Sequence, residues 1–546
     1  MTETSGEDKR TGKAFPYQVP VGIGLILLAI LYRLPDRVIT VFDWDNVQYL
    51  LALMDFDPVA HQPHPPGHPL YVFTGWLFSL LVNNGQLGYQ VVNILFFALG
   101  AFWTYLLGRK LFGDLAGMIG AFIYLVSPLA GFFVAFPNTF GLEGAMTAGM
   151  WLLMADILDD RVDEKFRIRK LWMLPVVYAI FVGFRPSFLA FAIPGVLYVV
   201  LSRYPKMILK LIVIGVIVGL MWFIPMVIKT GGFSSYMTAL DTEAEPFIRP
   251  FSIQNITINL NLIRDYAIGL LGWFFVIPVV YGFVAGIRGA ATKLESAEDK
   301  YNRRIAILAA LWVIPILAFH IFSYIHPGFT VYYLPLAALG IARAIEWIGG
   351  LIGRENRILK VIIGVILAGA IVVVNAYAWI GNGENAGYFN VQTLWQKQAR
   401  VSEFIDEVRD KFPAEKTAVV SWEFFRRVGW YLPDYYSVYP QGAYASTHGT
   451  DPARSNIYTM YGRELEPHEW QYLRDGPIEP LVLPDEVVYI VVTPGSYARL
   501  SDQTGFIVVD MESGSQYMWR RFEPRIEITI DDDRWHAGSI STAGED

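Results

Sequence analysis

The stretch Phe42 to Tyr71, FDWDNVQYLLALMDFDPVAHQPHPPGHPLY, gathers side chains able to move protons or hold anions: Asp43, Asp45, Asp55 and Asp57, then His61, His64 and His68. Three of the protein's eight histidines fall here, beside six prolines and glycines. Asp43 and Asp45 flank Trp44 just ahead of Val47, Leu50, Leu51 and Met54, whose spacing predicts a short amphipathic helix. Two roles are open to Asp45. As helix N-cap it would accept a backbone N–H; partly desolvated at a membrane surface, it would be basic enough to take a proton from a hydroxyl. The Asp-Trp-Asp pair also leaves a divalent metal open, on a weak signature. Prolines at 63, 65, 66 and 69 predict extended backbone before each. The run is then a rigid entry turn, or a frame that fixes His61, His64 and His68 where imidazole meets a phosphate or a sugar hydroxyl.

Four more residues of this chemistry lie far along the chain. Glu143, in FPNTFGLEGAMTAG, either complements a helix dipole or, with only Gly141, Gly144 and Ala145 around it, faces a cavity. Arg185, in VGFRPSF, either snorkels to an interface or pairs with phosphate. His326 and Tyr332, in SYIHPGFTVYYLP, are interfacial belt residues or ligands.

The elements that would position them follow from composition. With 546 residues, 54% hydrophobic, 17% charged and a mean hydropathy of +0.38, the chain reads as a polytopic α-helical membrane protein. Apolar runs near 20 residues give about eleven spans: 19–34, 89–108, 115–132, 142–158, 171–184, 187–202, 208–228, 266–287, 305–324, 329–349 and 358–380. The run Leu70 to Val82 is short and reads as an interfacial or re-entrant helix in the first loop, 35–88. With eleven spans, the Lys and Arg clusters fall on one side, which makes that side, and the tail 1–18, cytoplasmic. The first loop, the start of span four at Glu143, the turns at Arg185 and at 325–328, and everything after 381 then share the extracytoplasmic face of a plasma-membrane protein. From there they can line one pocket.

Residues 381–546 change character, with 26 Asp and Glu against 15 Lys and Arg. A helical segment from Leu394 to Lys411 precedes strand-like AVVSW (418–422), VVYIVVT (487–493) and FIVVD (506–510), a soluble α/β domain whose last dozen residues are loose. Cysteine is absent, which excludes disulfides and thiolate metal sites. No basic tract suggests nucleic acid, no Walker or dinucleotide loop suggests nucleotide, and the spans carry too few central charges for an ion-coupled transporter.

The pattern Trp44, Asp45, Tyr49, Ala52, Leu53, followed by His64, Pro65, Pro66, Gly67, Pro69, Leu70, Tyr71 and then Glu143, resembles the C-type (GT-C) integral-membrane glycosyltransferase superfamily, in particular its protein O-mannosyltransferase and aminoarabinose transferase branch. Usable motifs cover about residues 15 to 200. The resemblance implies transfer of a sugar from a polyprenyl-phosphate donor to a protein, lipid or glycan acceptor, with the first-loop Asp, here Asp45, as catalytic base. Several relatives carry an acid immediately after that Asp. This chain has Asn46, so Asp43 or Glu143 would supply any second carboxylate. The catalytic set is then Asp45, Asp43 and Glu143, and the donor-phosphate or substrate set is His61, His64, His68, Arg185, His326 and Tyr332. Asp45 would deprotonate the acceptor hydroxyl as it inverts the anomeric carbon, while Arg185 and His326 neutralise the departing phosphate without a required cofactor. The alternative is a lipid-linked sugar translocase or binding protein that does no transfer.

Overall fold

The computed structural model describes residues 18–59, 61–244, 251–282, 296–353, 356–381, 388–421, 425–441, 456–460, 480–496, 500–531 and 534–540. The expected tail 1–18, save Gln18, and positions 283–287 of the eighth expected span lie outside them. The chain forms two compact units: Met1–Arg37, His68–Ile228 and Phe247–Gln392 make one, and Val38–Gly67, Lys229–Pro246 and Thr393–Asp546 the other.

The first unit is helical. Each stretch expected to span coincides with helix among the described residues. Six helices are long and apolar enough to cross a membrane: Gly85–Leu111, Pro205–Lys229, Ile253–Gly282, Ala297–Phe322, Pro327–Gly353 and Ile358–Ile380. A seventh crossing is available if Asp114–Leu125 and Pro128–Val134, bent by 58° at their junction, count as one. Gln18–Arg33 and Phe188–Arg203, at 16 residues each, are shorter, and Phe140–Leu158 and Glu164–Phe184 are more polar. The sequence reading ran a single span through Pro128. Proline lacks the N–H that would continue the helix, and the chain breaks there instead.

Gly85–Leu111 is the most enclosed of the six. Two glycines let the short helix Pro69–Val82 lie against it. A Cβ on Gly75 would stand 2.1 Å from the Tyr89 ring, and one on Gly88 would stand 2.6 Å from the Ser79 backbone nitrogen. The break at Ser127–Pro128 is secured by a buried cation. Arg33 Nη2 donates to the carbonyls of Leu125 at 2.7 Å and Ser127 at 3.0 Å. Its guanidinium lies 4.3 Å from the Tyr32 ring centroid and 4.6 Å from that of Trp379. Gly131 gives it room, since a Cβ there would meet Arg33 Nη1 at 2.2 Å.

The second unit is built on a six-stranded mixed sheet of order β3-β2-β1-β5-β7-β6, with β1 Thr417–Val420, β2 Tyr436–Gln441, β3 Asn456–Met460, β5 Tyr489–Val492, β6 Ile507–Asp510 and β7 Gln516–Arg521. β1 runs parallel to β2 and β5, and the remaining pairs are antiparallel. A second, antiparallel sheet pairs β4 (Leu481–Val482), β8 (Ile526–Asp531) and β9 (Arg534–Ser539). Half of the last dozen residues therefore do not hang loose: they extend an antiparallel ladder, and 541–546 lie outside the described residues. Ala418, Val420, Val438, Ile490, Val492, Met518, Ile528 and Trp535 share one apolar core. The helix Val391–Lys411 buries Leu394, Val401, Phe404, Ile405 and Val408, an apolar stripe at helical spacing.

The first-loop segment belongs to this unit. Gln398 Oε1 accepts the Ile39 N–H at 2.8 Å, the Tyr431 hydroxyl accepts the Val41 N–H at 2.8 Å, and the Lys397 ammonium stands 5.3 Å from the Phe42 ring. The two elements meet across more than 350 residues of sequence.

Arg33→Met should lower the thermal midpoint of the purified protein in detergent, because each lost charge-assisted bond contributes about 1.5–3 kcal/mol. Arg33→Lys should fall between the two. An unchanged midpoint in the methionine variant would show that the break holds without the guanidinium.

Candidate active site

In the second unit the helix Trp44–Ala52 starts two residues earlier than a cap at Asp45 would allow. Asp43 is the N-cap: its backbone is extended, and its Oδ1 accepts the Asp45 N–H at 3.1 Å. The surrounding protein raises the Asp43 carboxyl above its usual range and Asp45 adds to that, while Arg427 and Lys397 draw it back. Asp45 is thereby released from capping. It sits in the first turn with its side chain 50% exposed, its Oδ1 3.8 Å from His64 Nδ1, within ion-pair range and beyond hydrogen-bond reach.

His64 is held by Gln48, which is buried. Gln48 Oε1 accepts the His64 backbone N–H at 2.8 Å and lies 3.0 Å from His64 Nδ1. A backbone N–H can only donate, so the amide oxygen is the atom facing the ring and Nδ1 carries the proton. The Tyr49 ring meets the imidazole edge-on at 5.5 Å. His61 has a left-handed backbone, φ 56°, and its carbonyl accepts from Arg426 Nη1 at 3.3 Å. Burial, then the charge of Arg426 and the neighbouring His64, lowers the His61 imidazole well below its usual range, so the ring is neutral. Asp57 and Asp55 have other work: Asp57 pairs its backbone with Gln62, and Asp55 meets Lys229 at 3.3 Å on the surface.

The first unit holds the remaining expected residues. His68 departs from the extended backbone its following proline predicts. It lies in the left-handed region, φ 46° and ψ 50°, as N-cap of Pro69–Val82. Such a conformation costs about 1–3 kcal/mol in a non-glycine residue. Its buried Nδ1–H donates to the Phe184 carbonyl at 3.2 Å, and its own carbonyl accepts the N–H groups of Tyr71 and Val72. This histidine shapes the turn.

Glu143 and Arg185 meet in the interior. Arg185 Nε donates to Glu143 Oε1 at 2.8 Å and Nη1 donates to Thr139 Oγ1 at 2.8 Å. Glu143 is 1% exposed and Arg185 6%, so neither the snorkelling expected of the arginine nor the cavity expected of the acid is found. Gly144 serves another purpose, admitting the Tyr124 hydroxyl, which would lie 2.6 Å from an added Cβ. Glu143 holds Arg185 through this ion pair. The guanidinium is sandwiched 4.1 Å from the Phe140 ring and 5.2 Å from Phe329, and Nη2 makes no hydrogen bond among the described residues.

His326 stacks on the other ring contact of that group, Phe140, at 4.5 Å and 22°. Its Nδ1 accepts the Gly328 N–H at 3.1 Å, which puts the ring proton on Nε2. Burial, assisted by Arg185, pushes the imidazole down to about 3. Without a neighbouring anion the ring is neutral, and its Nε2–H is available as a donor. Tyr332 lies in the same turn. It is fully buried, stacks on Trp312 at 5.2 Å and 6°, and spends its hydroxyl on the Phe191 carbonyl at 3.2 Å.

Sequence reasoning missed Gln48, Thr139, Lys397, Arg426 and Arg427. Only the arginine doublet in SWEFFRRVGW carried a signal, as adjacent cations in an acidic domain directly after a strand. Among the described residues no group of three or more His, Cys, Asp or Glu side chains could hold a metal ion, so the Asp43–Asp45 pair has no third ligand of that kind.

Residues 63–228 match the family model described as dolichyl-phosphate-mannose-protein mannosyltransferase. That segment resembles the GT-C glycosyltransferases. No curated protein matches this sequence. Its fold is similar to that of ArnT from Cupriavidus metallidurans. With the crystal structure bound to undecaprenyl phosphate the TM-score is 0.58 at 12% identity, over 93% of this chain and 98% of that one. With the apo structure it is 0.55 at 13%, over 92% and 97%. At these identities the likeness concerns the fold. The shared fold is that of a multi-pass membrane protein with a C-terminal β-sheet region.

Two outcomes follow from the first unit's cluster. Glu143→Ala leaves the Arg185 charge buried without its partner and should cost about 3–5 kcal/mol, whereas Glu143→Gln still accepts from Nε and should retain most of the stability; thermal unfolding of both variants decides. For His326, an unfolded chain with the ordinary value of 6.5 binds a proton before the folded one, at about 3, so stability falls as pH drops below 6.5 toward 3. His326→Gln should flatten the decline in thermal midpoint between about pH 7 and 5, and an identical slope in both proteins would count against it.

Proposed function

We propose that the protein transfers a sugar from a polyprenyl-phosphate-linked donor to an acceptor on the extracytoplasmic membrane face, inverting the anomeric carbon, with Asp45 as general base. The observation that carries this reading is the division of labour between two carboxylates. Asp43 caps the helix, and Asp45 is left half exposed beside an oriented histidine. Asp45 would accept the proton of an acceptor hydroxyl as its oxygen attacks the anomeric carbon. The bond from that carbon to the phosphate oxygen breaks, and the polyprenyl phosphate leaves with the electron pair.

Arg185 supplies the charge for the phosphate in this reading. Guanidinium geometry suits a phosphate, two of its nitrogens are fixed by Glu143 and Thr139, and Nη2 is the donor that remains. His326 contributes at most an Nε2–H. The undecaprenyl phosphate bound by ArnT supports a polyprenyl-phosphate ligand here. The reading retains eleven crossings with a cytoplasmic N-terminus; helices over most of the expected spans among the described residues support the crossings. His61, neutral and bound through its carbonyl, shapes the loop, and His64 is the imidazole assigned to substrate.

The test is transfer by purified protein from a labelled polyprenyl-phosphate sugar to an acceptor extract. Asp45→Asn should lower kcat by about 10²–10⁴-fold and leave donor binding unchanged. Retained turnover removes Asp45 from the base role, and no labelled product from the wild type would favour the translocase reading.

A further inference from the structure

The helix Phe425–Tyr431 carries Arg426 and Arg427, 1% and 5% exposed. Two adjacent arginines this deeply buried are rarely tolerated unless each is engaged. Arg426 engages the first loop twice. Nη1 donates to the His61 carbonyl at 3.3 Å, and its guanidinium carbon lies 5.2 Å from the Trp44 ring centroid. The Trp44 ring is backed by Tyr439 at 6.0 Å, and Tyr439 stacks on Phe425 at 5.4 Å and 29°. A closed path therefore runs from Phe425 through Tyr439 and Trp44 to Arg426, the residue after Phe425. Trp44 directly precedes Asp45, and His61 lies one turn ahead of His64. One side chain from the C-terminal region thus touches both ends of the segment that carries the Asp45–His64 pair.

We propose that Arg426 is a positioning residue for Asp45, setting the separation of Asp45 and His64 by bridging Trp44 and His61. The inference rests on the reading of Asp45 as the base. The residue type matters, because a planar guanidinium donates in its plane while presenting a face to an indole, and an ammonium cannot do both. The bridge also explains why the first loop and the C-terminal strands form one compact unit. The catalytic loop is stiffened from outside its own sequence.

The experiment uses full-length protein and two readouts. In the transfer assay Arg426→Ala should lower kcat by about 10²-fold, the loss expected when a reacting group is misplaced by about 1 Å. KM for the donor should stay within about twofold, and added guanidinium ion should restore part of the rate. Arg426→Lys should show the same kcat loss without rescue, and it carries the test where the alanine variant does not accumulate. Hydrogen exchange followed by mass spectrometry supplies the second readout: peptides covering 44–64 should exchange faster in both variants, with the helices of the other unit unchanged. That readout needs no turnover, so it still tests the bridge if the wild type fails to transfer sugar and the base assignment falls. Unchanged exchange in 44–64, or an unchanged kcat in an active background, overturns the proposal. So does a rise in donor KM matching the fall in kcat.

Discussion

A backbone that leaves its helix inside an apolar interior presents carbonyls that water does not reach, and each one left unmatched is costly. In this chain guanidinium groups meet that demand. Arg33 takes the carbonyls at the Ser127 break, and Arg426 takes the His61 carbonyl within a turn crowded with prolines. Arg185 itself terminates the helix Glu164–Phe184 and reaches the hydroxyl of Thr139, which starts the helix before it, Phe140–Leu158. Each also has aromatic rings beside it at 4.1–5.3 Å. Aromatic faces compensate a cation that hydrogen bonds alone do not satisfy. The arginines therefore mark places where the fold departs from straight helix.

The same economy separates capping from chemistry at the start of the first loop. A single carboxylate could not donate its lone pairs to a helix end and remain a base of full strength. Two carboxylates, two positions apart, divide the tasks: Asp43 accepts a backbone N–H at the helix start, and Asp45 faces His64. Gln48 completes the arrangement by fixing the orientation of His64 through a backbone N–H that leaves the amide no choice of rotamer.

Much of this was legible in the sequence. Apolar length marks the helices, β-branched runs mark β1, β5 and β6, and proline and aspartate density marks the first loop. The identity of the cap was not, because one residue's φ and ψ decide it and Asp43 and Asp45 are both competent. The bend at Ser127–Pro128 was written in the sequence but outweighed by hydropathy, which ignores backbone donors. The left-handed His68 runs against the local preference before proline and is held by partners from another helix, including the Phe184 carbonyl. Gln48, Arg426 and Arg427 had no periodic pattern to announce them. Their roles arise from contacts between segments far apart in the chain, and composition carries no record of those.

The partnership between the first loop and the C-terminal strands has a consequence in time. Residues 38–67 are synthesised long before 393–546, their partners in the same unit. At about 5–20 residues per second, the loop waits on the order of tens of seconds for Gln398, Arg426 and Tyr431 to exist. A nascent chain with its first helices already in the bilayer has its acid and its histidines but not the clamp that aligns them. The partners of the first loop are thus made long after the loop itself.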